Sequence, residues 1–526
     1  MRRPSTNMQK EFNITGLCRP AKHYMADVSG KLAQVYKLVE KGAYFVINRP
    51  RQYGKTTMLY SLAAFLQKKE DYIVFNTSFE GIGDSIFENE KNFSAGFVKL
   101  LTKHASVSAP FLMDWLNQNK AEIDNLEALS SLITSIAIQA EKKMVLLIDE
   151  VDKSSNNQLF ISFLAMLRNK YLESDNFPTF HSVILAGVHD VKSLKLKLRP
   201  DDEQKYNSPW NIATEFTVDM NLQVAEMIPM LEEYARDKQV TLDATAVAER
   251  LFYYTSGYPF LVSKLCKTID EQILPAKTAA NWTPGDVELA ASMIVKENNT
   301  NFDSLIKNLE NNPDLYNLVH KKLVDIEYQS YSIHDPTVSQ GLMYGILKNG
   351  LGISIHNRIY EEVIYAYMTS KATSQVLLGA YNVPQNFRLP DQRLNMEAVL
   401  LKFQAFMKEQ HSKKDADFLE RNGRLVFLAF IKPIINGSGY DFKEPQISEE
   451  RRLDVVITYF QHRYITELKI WRGAKVHAEG LAQLADYLER QGLAEGYLLV
   501  FDQGKKKSWK SGWEVVQGKR VFGVWV

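Results

Sequence analysis

"NRPRQYGKTTML", residues 48–59, has the form of a phosphate-binding loop with one part exchanged. Gly54, Lys55 and Thr56 supply the glycine, lysine and hydroxyl of such a loop, but the position five residues before Gly54, where a glycine is expected, holds Arg49, followed by Pro50. A loop of this kind works because backbone N–H groups and a helix N-terminus face phosphate oxygens, the lysine adds a point charge, and the following hydroxyl binds magnesium. The first glycine only starts the turn. Pro50 can hold the chain extended instead, and Arg51 adds charge.

The flanks fit that reading. "AYFVIN" (43–48) is a short apolar strand candidate, and "TTMLYSLAAFLQ" (56–67) has helical period, giving strand, loop, helix. "DYIVFNTS" (71–78), "KKMVLLIDE" (142–150) and "FHSVILAG" (180–187) are further strand candidates, with amphipathic helical sequence over 91–141. Strands alternating with helices predict an α/β domain with a mainly parallel sheet. "MVLLIDE" ends in Asp149 and Glu150, where one carboxylate can hold magnesium through water and the next can polarise an attacking water. A strand ending in solvated acids is the plainer alternative.

Length and composition set the frame. The chain has 526 residues, too many for one ordinary core, and its hydrophobic fraction of 45% with 24% charged residues is that of a globular protein. A net charge of +1 excludes a globally basic nucleic-acid binder, although domains of opposite sign can hide in it. Cys18 and Cys266 have neither the pairing nor the histidine company of a disulfide framework or zinc site. No apolar run approaches the ~20 residues that cross a bilayer, so the expected setting is the cytoplasm, without membrane contact.

Beyond the first domain, residues 219–300 carry apolar residues at spacings of three and four, as a small helical lid would. Residues 301–385 contain "LGISIHNRIYEEVIYAYM", a β-type stretch running into an amphipathic helix, which resembles a winged-helix module. "NVPQNFRLPDQR" (382–393) is the linker candidate. The expected domains are therefore 1–218, 219–300, 301–385 and 391–526.

The last of these contains "RRLDVVITYFQHRYITELKIW" (451–471). Alternate residues of a strand share a face, so Glu467 and Lys469 point the same way and a neighbouring strand can bring Asp454 opposite them. Two carboxylates could then hold magnesium against a scissile phosphate while the lysine orients water. Charged residues on an exposed strand fall into this spacing often. Here, however, Ile465, Leu468 and Ile470 surround them, and an unpaired carboxylate is costly to bury in such a strand.

Taken together, "KHYMADVSGKL" (22–32), "INRPRQYGKTTML" (47–59), "LLIDEVD" (146–152), "VILAGVHDVKSLK" (183–195) and "NSPWNIATEF" (207–216) resemble the AAA-ATPase-like group of bacterial and archaeal ATPases, related to AAA+ and STAND proteins. The resemblance implies that the arginine-proline-arginine loop is a family variant, that ATP and magnesium are bound, and that Arg51, Gly54, Lys55, Thr56 and Thr57 contact the nucleotide. It makes Thr56 and Asp149 magnesium ligands and Glu150 the hydrolytic carboxylate. "SGYPFL" (256–261) is similar to the lid glycine-x-proline motif of STAND ATPases, which brings Pro259 near the adenine or phosphates; a helix-interrupting turn at Gly257 and Pro259 is the alternative. His189 and Asp190 fall at a sensor position, and Arg199 or Arg51 is a candidate phosphate contact. No arginine-finger pattern is plain, which leaves ring assembly unsupported and a homo-oligomer open.

The C-terminal succession resembles the PD-(D/E)XK nuclease superfamily, specifically the nuclease-like domain often attached to AAA-ATPase-like proteins. That resemblance implies Asp454 and Glu467 as metal ligands and Lys469 as the catalytic lysine. Gln483 and Tyr487 match a helix facing the site, and Glu420, or its rival Glu444, matches an additional carboxylate. Leu453 stands where proline is usual. "GKKKSWKSGW" (504–513) interleaves lysines with Trp509 and Trp513, as a backbone-contacting loop or a solvated tail would.

The expectation is an α/β multidomain chain: a P-loop NTPase parallel-sheet core with a helical lid and a winged-helix-like domain, then a PD-(D/E)XK nuclease-like α/β domain. The expected function is an ATP-dependent or ATP-regulated, magnesium-dependent nuclease on DNA, with host defence or mobile-element control as settings by fold analogy. The alternative is a nucleotide-switched signalling or scaffold ATPase whose nuclease-like domain only binds nucleic acid.

Overall fold

The structure is a computed structural model that describes residues 10–526 other than 81–82, 120–122, 152–157, 188–209, 325–331, 333, 351, 377–386, 412–425, 429, 432–438, 443–454, 460–461, 472 and 503–507. It divides into two compact units, one formed by Met1–Asn308 with Tyr331–Tyr360 and the other by Leu309–Ser330 with Glu361–Val526. Among the described residues no helix is long and apolar enough to cross a membrane.

The first unit is organised on four parallel strands, β1 (Tyr44–Asn48), β2 (Tyr72–Ser78), β3 (Lys143–Asp149) and β4 (Ser182–Gly187), lying side by side in the order β1-β4-β3-β2. Each is an almost unbroken apolar run because helices cover both faces of a parallel sheet. The register aligns Asn48 with Gly187 and Ser78 with Asp149, so the loop after β1 and the acids after β3 open on the same edge of the sheet. That carboxyl edge, beside β1, whose successor in sequence β2 lies at the opposite side of the sheet, is the place at which such sheets bind ligands. Among the described residues, Thr214 adds one bridge to the other side of β1.

Residues 224–294 of the same unit are mainly helical, with helices Val224–Lys238, Ala244–Thr255, Pro259–Thr268 and Pro284–Ile294 and one short pair of strands, β5 (Thr241–Leu242) and β6 (Asn281–Trp282). The segment before the sheet is tied to these helices. Phe12 packs with Tyr24, Tyr234 and Trp282 at ring separations of 5.1, 5.1 and 6.0 Å, and Tyr24 with Tyr234 at 5.3 Å, and Lys31 pairs with Glu226 and donates to the Asn221 carbonyl. A hairpin, β7 (Leu347–Asn349) and β8 (Ile353–Ile355), leads into the helix Arg358–Val376.

The second unit holds a six-stranded mixed sheet: β9 (Gly439–Phe442), β10 (Val455–Tyr459), β11 (His462–Ile470), β12 (Glu495–Phe501), β13 (Ser511–Val516) and β14 (Lys519–Trp525), in the order β13-β14-β12-β11-β10-β9. Strands β11, β12 and β14 run parallel in the middle, and the antiparallel pairs lie outside them. One face packs on the helix Met396–His411, the other on the helix Ala474–Arg490. Alternation along β11 divides it between the two: Tyr464 and Leu468 join the first core and Ile465 the second.

Candidate functional site

The loop after β1 turns through left-handed backbone at Gln52 (φ 57°) and Gly54 (φ 80°), not at Arg49. This accounts for the exchanged glycine. A side chain at position 49 meets no conformational penalty, whereas Gly54 sits where a Cβ is disfavoured. Arg49 turns the position into an anchor: its guanidinium donates to the carbonyls of Asn48 (2.8 Å) and Val218 (3.0 Å) and lies over the Phe216 ring. Gly54, which has no side chain to cap with, is also the N-cap of the helix Lys55–Leu66. The N-terminus of a helix suits a phosphate because its N–H groups and its dipole both favour an anion.

Lys55 is buried, with Nζ donating to the carbonyls of Arg49 (2.9 Å) and Pro50 (2.8 Å), so its ammonium spans the inside of the loop. Thr56 Oγ1 donates to Asp149 Oδ2 at 2.6 Å. The other oxygen of that buried carboxylate accepts the Glu150 amide at 2.9 Å, across a turn in which Glu150 takes φ 55°. Since β4 lies between β1 and β3, the Thr56–Asp149 bond reaches across one intervening strand end. Thr57 Oγ1 accepts the Cys18 amide at 3.2 Å, and Arg51 is exposed. Thr56 and Asp149 are a hard-oxygen pair of the sort that magnesium takes together with phosphate and water oxygens. Among the described residues no group of three His, Cys, Asp or Glu comes together as a metal site.

The turn between Thr255 and Pro259 also meets this loop. Ser256 and Gly257 are left-handed, and Pro259 begins the next helix at its first position. The side chain that touches the loop from here is Tyr258, whose hydroxyl donates to the Arg51 carbonyl at 2.7 Å. Tyr53, 4% exposed, is enclosed by Tyr258, Asn221 and His356, while exposed Gln52 accepts from Asn301 at 3.0 Å. The sequence pattern points to none of Tyr53, Asn221, Asn301 and His356. His189, Asp190 and Arg199 lie outside the described residues.

Burial pushes the His356 imidazole down to about 3, and the Lys348 charge adds to the shift. A histidine held neutral in the fold takes up a proton on unfolding below its ordinary value of ~6.5, so its contribution is intact above that pH and is lost as pH falls toward 3. At pH 5 the loss amounts to about 2 kcal/mol. The drop in urea-unfolding stability between pH 7 and pH 5 is therefore expected to shrink by about that amount in His356→Gln. An unchanged drop would show that the ring is charged or hydrated in the fold.

In the second unit Glu467 is 1% exposed and pairs with Lys469 Nζ at 2.9 Å. Both face the helix Ala474–Arg490: Lys469 Nζ lies 3.4 Å from Gln483 Oε1, and a Cβ at Gly480 would stand 3.2 Å from Lys469 Cε, so the glycine makes room for the lysine stem. Tyr487, from the same helix, is buried in the core on that face. Asp454, Glu420 and Glu444 lie outside the described residues; β10 begins at Val455, which pairs with Thr466, the neighbour of Glu467. Trp509 and Trp513 are half-buried against the opposite core, and Trp513 Nε1 donates to Glu397 at 3.1 Å.

A family model described as an AAA-like domain matches residues 20–327, more than half of the chain. The chain belongs to the AAA-like domain family. Its AAA-like domain is the parallel-sheet, P-loop unit of the ATPase kind described above, and the match ends before β9–β14. No curated protein matches the chain. Among solved structures the chain is similar to the Walker-type ATPase of Pyrococcus abyssi, at 12% identity and a TM-score of 0.43 over 67% of this chain and 99% of that one. It is also similar to the ORC2 protein of Aeropyrum pernix in ADPNP-ADP complexes (12%, 0.36, 68% and 98%). A third likeness is to the RuvB Holliday junction branch migration motor of Thermotoga maritima (16%, 0.34, 69% and 97%). At such identities and scores these likenesses carry nothing about what the AAA-like domain binds or moves.

Proposed function

We propose that the chain is an ATPase whose second unit is a magnesium-dependent nuclease for DNA, with the cut requiring ATP or regulated by it. For the first half of this reading the support is the loop itself: a helix N-terminus behind a left-handed glycine, a lysine across the loop and the Thr56–Asp149 bond. The phosphates of ATP lie against the N–H groups of the first turn, Lys55 neutralises them, Arg51 adds charge from the loop's exposed side, and Glu150 polarises the attacking water. Thr56 and Asp149 would hold magnesium, which supplies charge neutralisation of the phosphates when bound. Residues 219–300, with Pro259 at a helix start, act as the lid over the nucleotide, and residues 301–385 form a winged-helix-like module.

The observation that carries the nuclease half is the pair of buried Glu467 with half-buried Lys469 on one face of a central strand. Burying such a pair costs desolvation that apolar residues would avoid, so a fold that needed only packing has no use for it there. In this reading residues 391–526 are a PD-(D/E)XK nuclease-like domain. Glu467, with Asp454, would hold magnesium, which would supply a Lewis acid for the scissile phosphate and an acidified water. Lys469 orients that water and offsets charge on the phosphate, and Gln483 keeps the lysine in line.

The test is cleavage of linear, circular and single-stranded DNA by the purified chain in magnesium, with and without ATP. Lys469→Ala is expected to lower cleavage at least ~100-fold, the scale of losing one charged transition-state contact, while ATP turnover stays as it was. A chain that hydrolyses ATP and binds these DNAs but cuts none of them would be a nucleotide-switched scaffold instead. Cleavage indifferent to ATP would remove the regulation and leave the nuclease.

A further inference from the structure

Three consecutive residues of the phosphate loop are gripped from outside it. Tyr258 donates to the Arg51 carbonyl at 2.7 Å, Asn301 Nδ2 donates to Gln52 Oε1 at 3.0 Å, and the Tyr53 hydroxyl lies between Asn221 Oδ1 and His356 Nε2, 2.9 Å from the latter. The donors and acceptors in the last contact can be assigned. A phenol has one proton and Asn221 Oδ1 can only accept, so Tyr53 donates to Asn221 and accepts from His356 Nε2–H. The neutral ring then presents Nδ1 as an acceptor, and Asn357 Nδ2 lies 3.3 Å from it.

A second chain leaves the same asparagine. Asn357 Oδ1 accepts the Tyr360 amide at 2.8 Å, the Tyr360 hydroxyl donates to Asn301 Oδ1 at 2.8 Å, and Asn301 ends on Gln52. Both chains run from Asn357, just before the helix Arg358–Val376, to adjacent loop residues. Gln52 is the one whose left-handed backbone costs an ordinary side chain about 1–2 kcal/mol. Tyr53, Asn301, His356, Asn357 and Tyr360 are all buried, so a shift of the loop would take partners from the Tyr53 hydroxyl, His356 Nε2–H and Asn301 Nδ2.

We propose that Tyr53 and Gln52 are positioning residues of the phosphate loop, held by His356 and Asn301 so that the loop meets a nucleotide already in its binding shape. This rests on the nucleotide reading of the loop. Preorganisation lowers the ordering cost of binding, so its loss falls on affinity and not on the hydrolytic step, which belongs to Glu150.

The experiment measures ATP and ADP dissociation constants, kcat and KM for the full chain and four variants. Tyr53→Phe keeps the ring, 4.7 Å from Tyr258, and removes only the hydroxyl. Gln52→Ala alters an exposed side chain and removes the acceptor of Asn301 Nδ2 without touching the apolar core. Both are expected to raise the dissociation constant and KM about tenfold with kcat within twofold, the scale of one or two lost hydrogen bonds. His356→Gln, which retains an N–H donor, is expected to stay within about threefold of the natural chain, and His356→Leu to match Tyr53→Phe. Tyr53→Phe and Gln52→Ala binding within twofold of the natural chain, whatever happens to their melting temperatures, would overturn the proposal and reduce these bonds to packing. A natural chain that binds neither ATP nor ADP would instead overturn the nucleotide reading, and the positioning role with it.

Discussion

Lys55→Ala is expected to lower ATP turnover at least ~100-fold and to weaken ATP binding by a similar factor, the loss that follows when a charged hydrogen-bond donor worth about 2–3 kcal/mol is removed from a phosphate site. The lysine has two tasks in the structure. Its ammonium is the buried positive charge inside the loop, and its bonds to the Arg49 and Pro50 carbonyls draw the loop closed around it. Alanine removes both. Lys55→Arg should recover little, because a planar fork with fixed donor directions cannot reproduce a compact ammonium between two carbonyls. Magnesium-dependent phosphate release and calorimetric binding are the measurements, and turnover of Lys55→Ala within threefold of the natural chain would sink the assignment.

Gly257→Ala is expected to produce the largest loss of stability of any single methyl group added to the first unit. The added Cβ would stand 2.1 Å from the Leu222 carbonyl oxygen and 2.8 Å from its nitrogen, and φ at this residue is 76°. The left-handed backbone contributes about 1–2 kcal/mol and the overlap about 1–3 kcal/mol more. Nothing flexible can give way: the clash is with backbone, and the Leu222 amide is itself bonded to the Gly257 carbonyl at 2.8 Å. Urea unfolding should show a loss of about 3–4 kcal/mol, against under ~1 kcal/mol for an alanine at Gly285, where the nearest atom to a Cβ is a Thr283 side-chain oxygen at 3.6 Å. A loss under ~1 kcal/mol at Gly257 would mean that the turn can open without cost.

The parts of this chain that repeat locally were legible in its sequence. Apolar runs ending at Asn48 and Asp149 mark strands because a parallel strand buried on both faces admits little else, and the step from β1 to a helical period at Lys55 locates the loop between them. Period two across Ile465–Lys469 likewise put Glu467 and Lys469 on one face, where they meet the helix that carries Gln483. The grip on the loop was not legible. Asn221, Asn301 and His356 stand between 168 and 303 residues from their partners in the loop, and a hydrogen-bonding side chain leaves no periodic trace.

The strand order also bears on how the protein is made. β1 emerges first, but the neighbour that pairs with it along its length is β4, about 140 residues later, and on its other side, among the described residues, it has one bridge at Thr214. At about 5–20 residues per second a ribosome needs roughly 10–30 s to deliver β4, during which a strand of five residues, three of them fully buried in the finished sheet, has no partner. Pairings this distant in sequence fold slowly, and an open apolar edge attracts other chains while it waits. The strand that leads into the phosphate loop is the first of its sheet to be synthesised and among the last to be enclosed, so the first ~180 residues produced alone should aggregate where the same length extended past Thr214 does not.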